Sequence, residues 1–415
     1  MPETWRPSIS SEVTRSRIMQ YIKKVLKRYE DELLNSIIPF WEKHCVDSED
    51  GGYYSFLDRM GNVYDTDKHI WSEWRIVYMF STLFTSEYSR PEWLEIAKHG
   101  FEFLTKYAKR TDGSYYFTLN KKGLPVASEF PSFSIYSESF AAIGAAALYA
   151  ATNDDKCRDE AVSAYNIFKK NINIGLSRKP ELSGQKKRKS LGHQMILCNA
   201  AFVLNECFNF SKFDSDIDSA IENIFTFWND DLGMFFENIS MDGSFDLDSC
   251  EGRLINPGHA LEAMWFILQY AEKKKDARLI AKACTLTGKI LDYGWDKEFG
   301  GIFYFKDALG KPLPEPKACF KVWWSQNEAA IAALYAYRLS GKKSFLERFK
   351  DIDRWSWKNF RDPEYGEWFG YVDKKGNVCH AFKANGWKTF FHIPRYLFTC
   401  IKLMKSLNQA DSKIN

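Results

Sequence analysis

Histidine is scarce, with seven in 415 residues. Nine cysteines are present, yet none stands in CxxC spacing or in Cys/His ligand spacing. No disulfide frame or structural zinc is therefore expected, and the thiols read as reduced and mostly buried, as in a cytoplasmic protein. No apolar run approaches the ~20 residues a membrane span needs. The N-terminal MPETWRPSISSEVTRSRIMQ lacks the apolar core of a secretory leader. Charge of one sign is missing too. The 57 Lys and Arg nearly balance 54 Asp and Glu, for a net +3, so no footprint for nucleic acid or a membrane surface is expected.

Aromatic residues are plentiful, at 16% with 14 Trp and 21 Tyr. Flat rings suit the apolar faces of pyranoses, although they also build cores and interfaces. The aromatics recur in a pattern of glycine, aromatic pair, short strand, tight turn, second strand and long apolar helix. The lead glycines are Gly52, Gly113, Gly233, Gly301 and Gly366, spaced by 61, 120, 68 and 65 residues. Such a period signals a repeat architecture. The double interval predicts a degenerate copy over Asn171–Glu206, with a basic loop in place of the hairpin. An amphipathic helix precedes each copy's apolar one. Six such pairs predict an all-α closed toroid, an (α/α)6 barrel, with apolar helices inside and hairpins gathered at one end. Residues 1–16 read as a flexible arm, 17–408 as one domain and 409–415 as a tail.

The starts of the inner helices collect the polar residues. They deliver Arg75, Glu138, His193, His259, Trp324 with Glu328, and His392. Three of seven histidines thus fall at equivalent points on one ring; His44, His69, His99 and His380 default to surface or loop roles. His259 follows an Asn-Pro-Gly turn at a helix N-terminus, where the partial positive charge favours neutral imidazole. Glu262, three residues on, shares its face. Two imidazoles across a cleft suit two-base proton transfer at a carbon acid, with Arg75 stabilising the developing oxyanion. Three rivals stay open: a three-histidine metal site, a glycosidase using Glu138 with Glu262 or Glu328, and carboxylates that only orient His and Arg.

Four motifs occur in order: GR-x-x-NPGHALEA-x-WF (252–266), K-x-WW-x-x-x-EA (321–329), NFRDPEYGEWFGY (359–371) and FHIPR (391–395). Over residues 20–405 the chain resembles the N-acylglucosamine 2-epimerase (renin-binding protein) family. The resemblance implies an (α/α)6 barrel that interconverts N-acetylglucosamine and N-acetylmannosamine. His259 and His392 match the acid/base pair, and Arg75 matches the arginine that stabilises an enediolate. His193, Glu262, Glu328 and Trp324 match pocket positions, while Lys388 is either a substrate contact or a helix cap. Glu73 replaces a common glutamine and adds negative charge near Arg75. The chemistry needs no redox cofactor or metal. ATP or another nucleotide is implied as an activator that is not consumed; the stretch SGQKKRKS, with Lys186, Lys187, Arg188 and Lys189, resembles an incomplete phosphate loop. A homodimer is implied as well. Rival activities are an aldose–ketose isomerase, a cellobiose-type 2-epimerase, and a non-catalytic protein-binding role.

Overall fold

The structure is a computed structural model and describes residues 12–126, 135–172, 186–315 and 317–412. Helix α1 (Glu12–Glu32) runs through a π-helical turn at Leu33–Ile37 into α2 (Ile38–His44). Together they form the first outer rod. It begins inside the expected N-terminal arm, and the last helix runs to Ser412, inside the expected tail. The reason is mutual support: Arg15 Nε donates to Asp411 Oδ1 at 2.5 Å. The remaining arm and tail residues, 1–11 and 413–415, lie outside the described residues.

Five further helix pairs follow, and each outer helix packs on an inner one. The inner set is α3 (Ile70–Phe84), α5 (Tyr136–Thr152), α7 (Leu191–Phe208), α9 (Pro257–Lys274), α11 (Trp323–Ser340) and α13 (His392–Ser412). The outer set continues with α4 (Pro91–Tyr107), α6 (Asp155–Asn171), α8 (Asp214–Phe225), α10 (Ala277–Gly294) and α12 (Lys343–Asn359). Inner helices touch in the order α3, α5, α7, α9, α11, α13, and α1 packs on α13. Burial explains the two sets. Every residue of α5 from Ser137 to Leu148 is buried, while α12 buries only one stripe, including Phe345, Leu346, Phe349 and Ile352. A helix buried all round belongs in the ring's interior and an amphipathic one on its rim.

Short strands close the ring at the end where inner helices begin. The strand leading into one inner helix pairs with the hairpin of the next unit. Lys68–His69 pairs with Thr118–Leu119, Arg188–Ser190 with Asn238–Ser240, Leu254–Ile255 with Lys306–Asp307, and Lys321–Val322 with Tyr371–Val372. The last unit returns to the first: Lys383 N–H donates to Leu57 C=O at 2.9 Å. This is the (α/α)6 barrel expected from the repeat. Part of the degenerate copy, residues 173–185, lies outside the described residues.

A buried lysine fastens three of these units. Lys68 reaches Asp47 at 2.8 Å, Lys321 reaches Asp296 at 2.7 Å and Lys383 reaches Asp362 at 2.8 Å. Each ammonium also takes a backbone carbonyl of the glycine-aromatic turn. The hairpin glycines are needed where the chain bends; Gly61 has φ +91°, and a Cβ there would lie 2.5 Å from the His44 ring.

Candidate active site

Asn256 caps α9, accepting the His259 N–H on its Oδ1 at 3.2 Å, with Pro257 at the first helical position. This fixes the His259 ring at the ring's mouth. Its Nδ1 meets both oxygens of Glu237, at 3.0 and 2.9 Å. The Glu237 side chain is 2% exposed and that of His259 is 22%, so the carboxylate is sheltered and the imidazole keeps some exposure. A carboxylate acceptor makes Nδ1 the donor, which leaves Nε2 as the basic nitrogen. The expected partner, Glu262, lies elsewhere.

His392 opens α13 and repeats the arrangement in deeper surroundings. Its Nδ1 meets Glu328 Oε1 at 2.8 Å. Glu328 also accepts the Trp265 indole N–H at 2.7 Å and the Arg395 guanidinium at 2.7 Å. Arg395 binds Glu262 Oε1 at 2.5 Å. Burial, followed by the positive charge of Arg395, holds the His392 pKa well below the usual imidazole value, against the pull of Glu262. His392 is therefore neutral at neutral pH, with Nε2 available as a base.

The Trp324 indole lies between the two histidines, 5.1 Å from the His259 ring centroid and 5.8 Å from that of His392. Close approach of α9 to this ring requires Gly258, where a Cβ would sit 2.5 Å from the indole. Arg75 is buried among Trp71, Phe140 and Phe391, 4.1 to 4.7 Å from each ring centroid. Among the described residues no carboxylate lies within ion-pair distance of it, and its Nε has no hydrogen-bond partner. Burial pushes its pKa down to about 9, opposed by Glu262, so it keeps its charge at neutral pH. A desolvated cation without a counter-ion is poised for a negative charge that develops on a ligand.

His193 stands at the start of α7, 6.0 Å from the Tyr136 ring centroid. Its neighbour Gly192 is so close to His259 that a Cβ would lie 3.4 Å from that ring. His193, His259, Trp324, Glu262, Glu328, His392 and Arg75 thus come from α3, α7, α9, α11 and α13 to one end of the barrel.

Other expected members serve elsewhere. Glu138 accepts the backbone N–H of Tyr115 at 3.1 Å, so it anchors a loop. Glu73 does the same for Tyr53 at 2.8 Å and accepts Ser55 Oγ at 2.9 Å. Two residues apart on a helix face opposite ways, so Glu73 leaves Arg75 unneutralised. Lys388 precedes α13 rather than riding on it. Its side chain is fully buried, bonded to Glu367 Oε1 at 2.9 Å and to the Lys383 carbonyl at 2.7 Å. It is a clamp under the site. In the basic stretch, Arg188 is held by Asp246 at 2.5 Å and Ser249 at 2.9 Å, and Lys186 reaches the same Asp246 at 3.3 Å. Lys187 and Lys189 are exposed, and residues 183–185 of that stretch lie outside the described residues. His69 and His380 lie in the short strands, His44 ends α2 and His99 rides on outer helix α4, all as aromatic or backbone contacts.

The open rivals narrow on this geometry. Among the described residues, the ligand-type side chains that gather closely are Glu262, Glu328 and His392, with donor atoms within 4.8 Å, and not the three histidines. Arg395 already binds both carboxylates and occupies the space between them, so the set offers a cation little. The same guanidinium draws Glu262 and Glu328 side by side, whereas a glycosidase needs its carboxyls across the bond to be cut. Glu237 and Arg395 were not expected in the site. Glu237 had one signal: equivalent places in other units hold Ser55, Phe117, Tyr304 and Gly370, so it is the lone acid in the series.

Two carboxylate-oriented imidazoles beside one indole suit proton transfer on a sugar, and the relatives of this chain are carbohydrate epimerases, a class of isomerases. The profile of the N-acylglucosamine 2-epimerase (GlcNAc 2-epimerase) family matches residues 51–395, and the chain belongs to that family. N-acylglucosamine 2-epimerase of Bos taurus is 34% identical over 405 residues, 94% of each chain. That of Rattus norvegicus is 36% identical over 399 residues, 93% of each chain. The solved cellobiose 2-epimerase of Spirochaeta thermophila superposes with a TM-score of 0.79 over 94% of this chain and 98% of its own, at 19% identity, a likeness of fold.

Proposed function

We propose that this protein is an N-acylglucosamine 2-epimerase, interconverting N-acetyl-D-glucosamine and N-acetyl-D-mannosamine. The observation that carries the reading is the pair of histidines flanking Trp324, each with Nδ1 held by a carboxylate. The two sugars differ only in configuration at C2. In the open-chain aldehyde, a neutral imidazole removes the C2 proton through Nε2. The C–H electron pair moves into the C1–C2 bond, and the carbonyl pair moves onto O1. Arg75 neutralises this enolate oxygen. The opposite imidazole, protonated, returns a proton to the other face of C2. The two histidines end with exchanged protonation states and reset through solvent. His392, held neutral, is the base that starts one direction. Glu262 and Glu328 supply the counter-charge for Arg395, and His193 and Trp324 line the sugar.

The reading extends to a nucleotide activator that is not consumed, a homodimer, a cytoplasmic location and a place in amino sugar and sialic acid metabolism. Family membership supports these. All nine cysteines are free, which suits a reducing compartment, and among the described residues no helix is long and apolar enough to cross a membrane. Incubating the full chain with N-acetylmannosamine in deuterium oxide, with and without ATP, tests the reading by proton NMR. Deuterium at C2 together with N-acetylglucosamine supports it. A ketose formed from mannose instead would install the isomerase reading, and a product only from cellobiose the cellobiose-type one. Turnover of no sugar would leave a binding protein.

A further inference from the structure

The barrel has a second opening, at the end opposite the histidines. A cavity of about 440 Å³ lies there, and every inner helix contributes to its wall: Tyr78, Ala147, Phe202, Gln269, Tyr335 and Lys402, in chain order. That volume falls in the range of small-molecule sites. Arg395 and Trp265 also line it, so the pair that holds Glu328 on the catalytic side is exposed to the cavity on the other. Its charges are not equivalent. Glu206 is paired with Lys273, and Glu272 with Arg338 and with Tyr335 Oη, the latter at 3.1 Å. Lys402 has no carboxylate within ion-pair distance among the described residues; its ammonium lies 4.8 Å from the Phe398 ring centroid. It sits at the eleventh residue of α13, well before that helix's C-terminus, beyond reach of the partial negative charge there.

We propose that this cavity is a second binding site, for a small anionic polyhydroxylated molecule, a sugar acid or a sugar phosphate, whose charged group rests on Lys402. Three features match that chemistry. The Phe202 and Phe398 rings, beneath the Lys273 and Lys402 ammonium groups, give apolar wall for the carbon skeleton of a sugar. The amides of Asn199 and Gln269 and the Thr399 hydroxyl offer donors and acceptors for hydroxyl groups. Lys402 supplies one positive charge outside any ion pair among the described residues, with Glu206 acting on it only at longer range, enough for one anionic group. The inference rests on this geometry and not on the epimerase reading, so the two can fail separately.

Isothermal titration calorimetry on the full chain, with the catalytic end saturated by N-acetylglucosamine, tests it. The probes are glucuronate, glucose 6-phosphate, glucose and inorganic phosphate. Saturable 1:1 binding of glucuronate or glucose 6-phosphate is expected, with glucose and inorganic phosphate at least about tenfold weaker. Binding of glucuronate alone assigns the carboxylate, and of glucose 6-phosphate alone the phosphate. Lys402→Met should weaken binding about tenfold or more with an unchanged melting temperature, and Lys402→Arg should restore most of it. Three results would overturn the proposal: no binding of either anionic sugar, binding abolished by N-acetylglucosamine, or affinity indifferent to Lys402→Met.

Discussion

The two histidine stations use one device in different settings. At His259 the orienting acid, Glu237, comes from a hairpin, and the ring keeps some exposure to the cleft. At His392 the acid, Glu328, comes from inner helix α11 and is shared with Trp265 and Arg395, with Glu262 behind them. The carboxylate fixes the tautomer in both places. Only the second station adds a buried cation next to the imidazole, and that cation helps hold the ring neutral. A reaction that runs in both directions needs one base ready and one acid loaded. On the proposed two-base reading, the buried cation beside His392 favours its neutral form and so readies it as a base.

Removing either ring should have the largest effect. His259→Asn and His392→Asn should each lower kcat for epimerisation by about 10²–10⁴ while the fold persists, checked by turnover and circular dichroism. Arg395→Met should break only the second station. It strands two buried carboxylates, so unfolding in urea should show a loss of about 3–5 kcal/mol. Glu237→Gln should damage the first station more gently, lowering kcat on the order of a hundredfold with little change in KM or stability. An equal fall in both variants' melting temperature would erase the contrast between hairpin-borne and helix-borne acids.

The smallest effect concerns the scaffold. Glu73 in α3 and Gln326 in α11 hold equivalent turns; Gln326 accepts the Ile302 N–H at 2.7 Å and donates to its carbonyl at 2.8 Å. Burial raises Glu73 to about 7, opposed by Lys68. Its folded value lies above its unfolded value, so the native state holds the proton more tightly. Its contribution is present in full below about 4.5 and is lost as pH rises to about 7. Glu73→Gln should stabilise the protein at pH 8 by on the order of 2 kcal/mol and flatten this slope in thermal melts.

The repeat made the barrel legible, because glycine, aromatic pair and turn are local signals that recur in register with apolar helices. The positions of His259, His392 and Arg75 followed from that register. Their partners did not. His392 meets Glu328 64 residues away, and Arg395 meets Glu262 133 residues away. Spacing along one helix suggested Glu262 for His259, but closure of the ring decides which acid each histidine meets. Glu138 and Lys388 misled for the opposite reason. They stand at the right heights but turn toward the loops, where an unpaired backbone N–H or a buried carboxylate claims them.

The most direct measurement follows C2 proton exchange from each epimer separately, in deuterium oxide, with His259→Asn and His392→Asn. The account predicts that each variant loses epimerisation yet still exchanges the C2 proton of one epimer, with opposite epimers for the two variants. Exchange of both epimers by either variant, or epimerisation faster than about a hundredth of the parent rate after the loss of one histidine, would contradict two opposed bases.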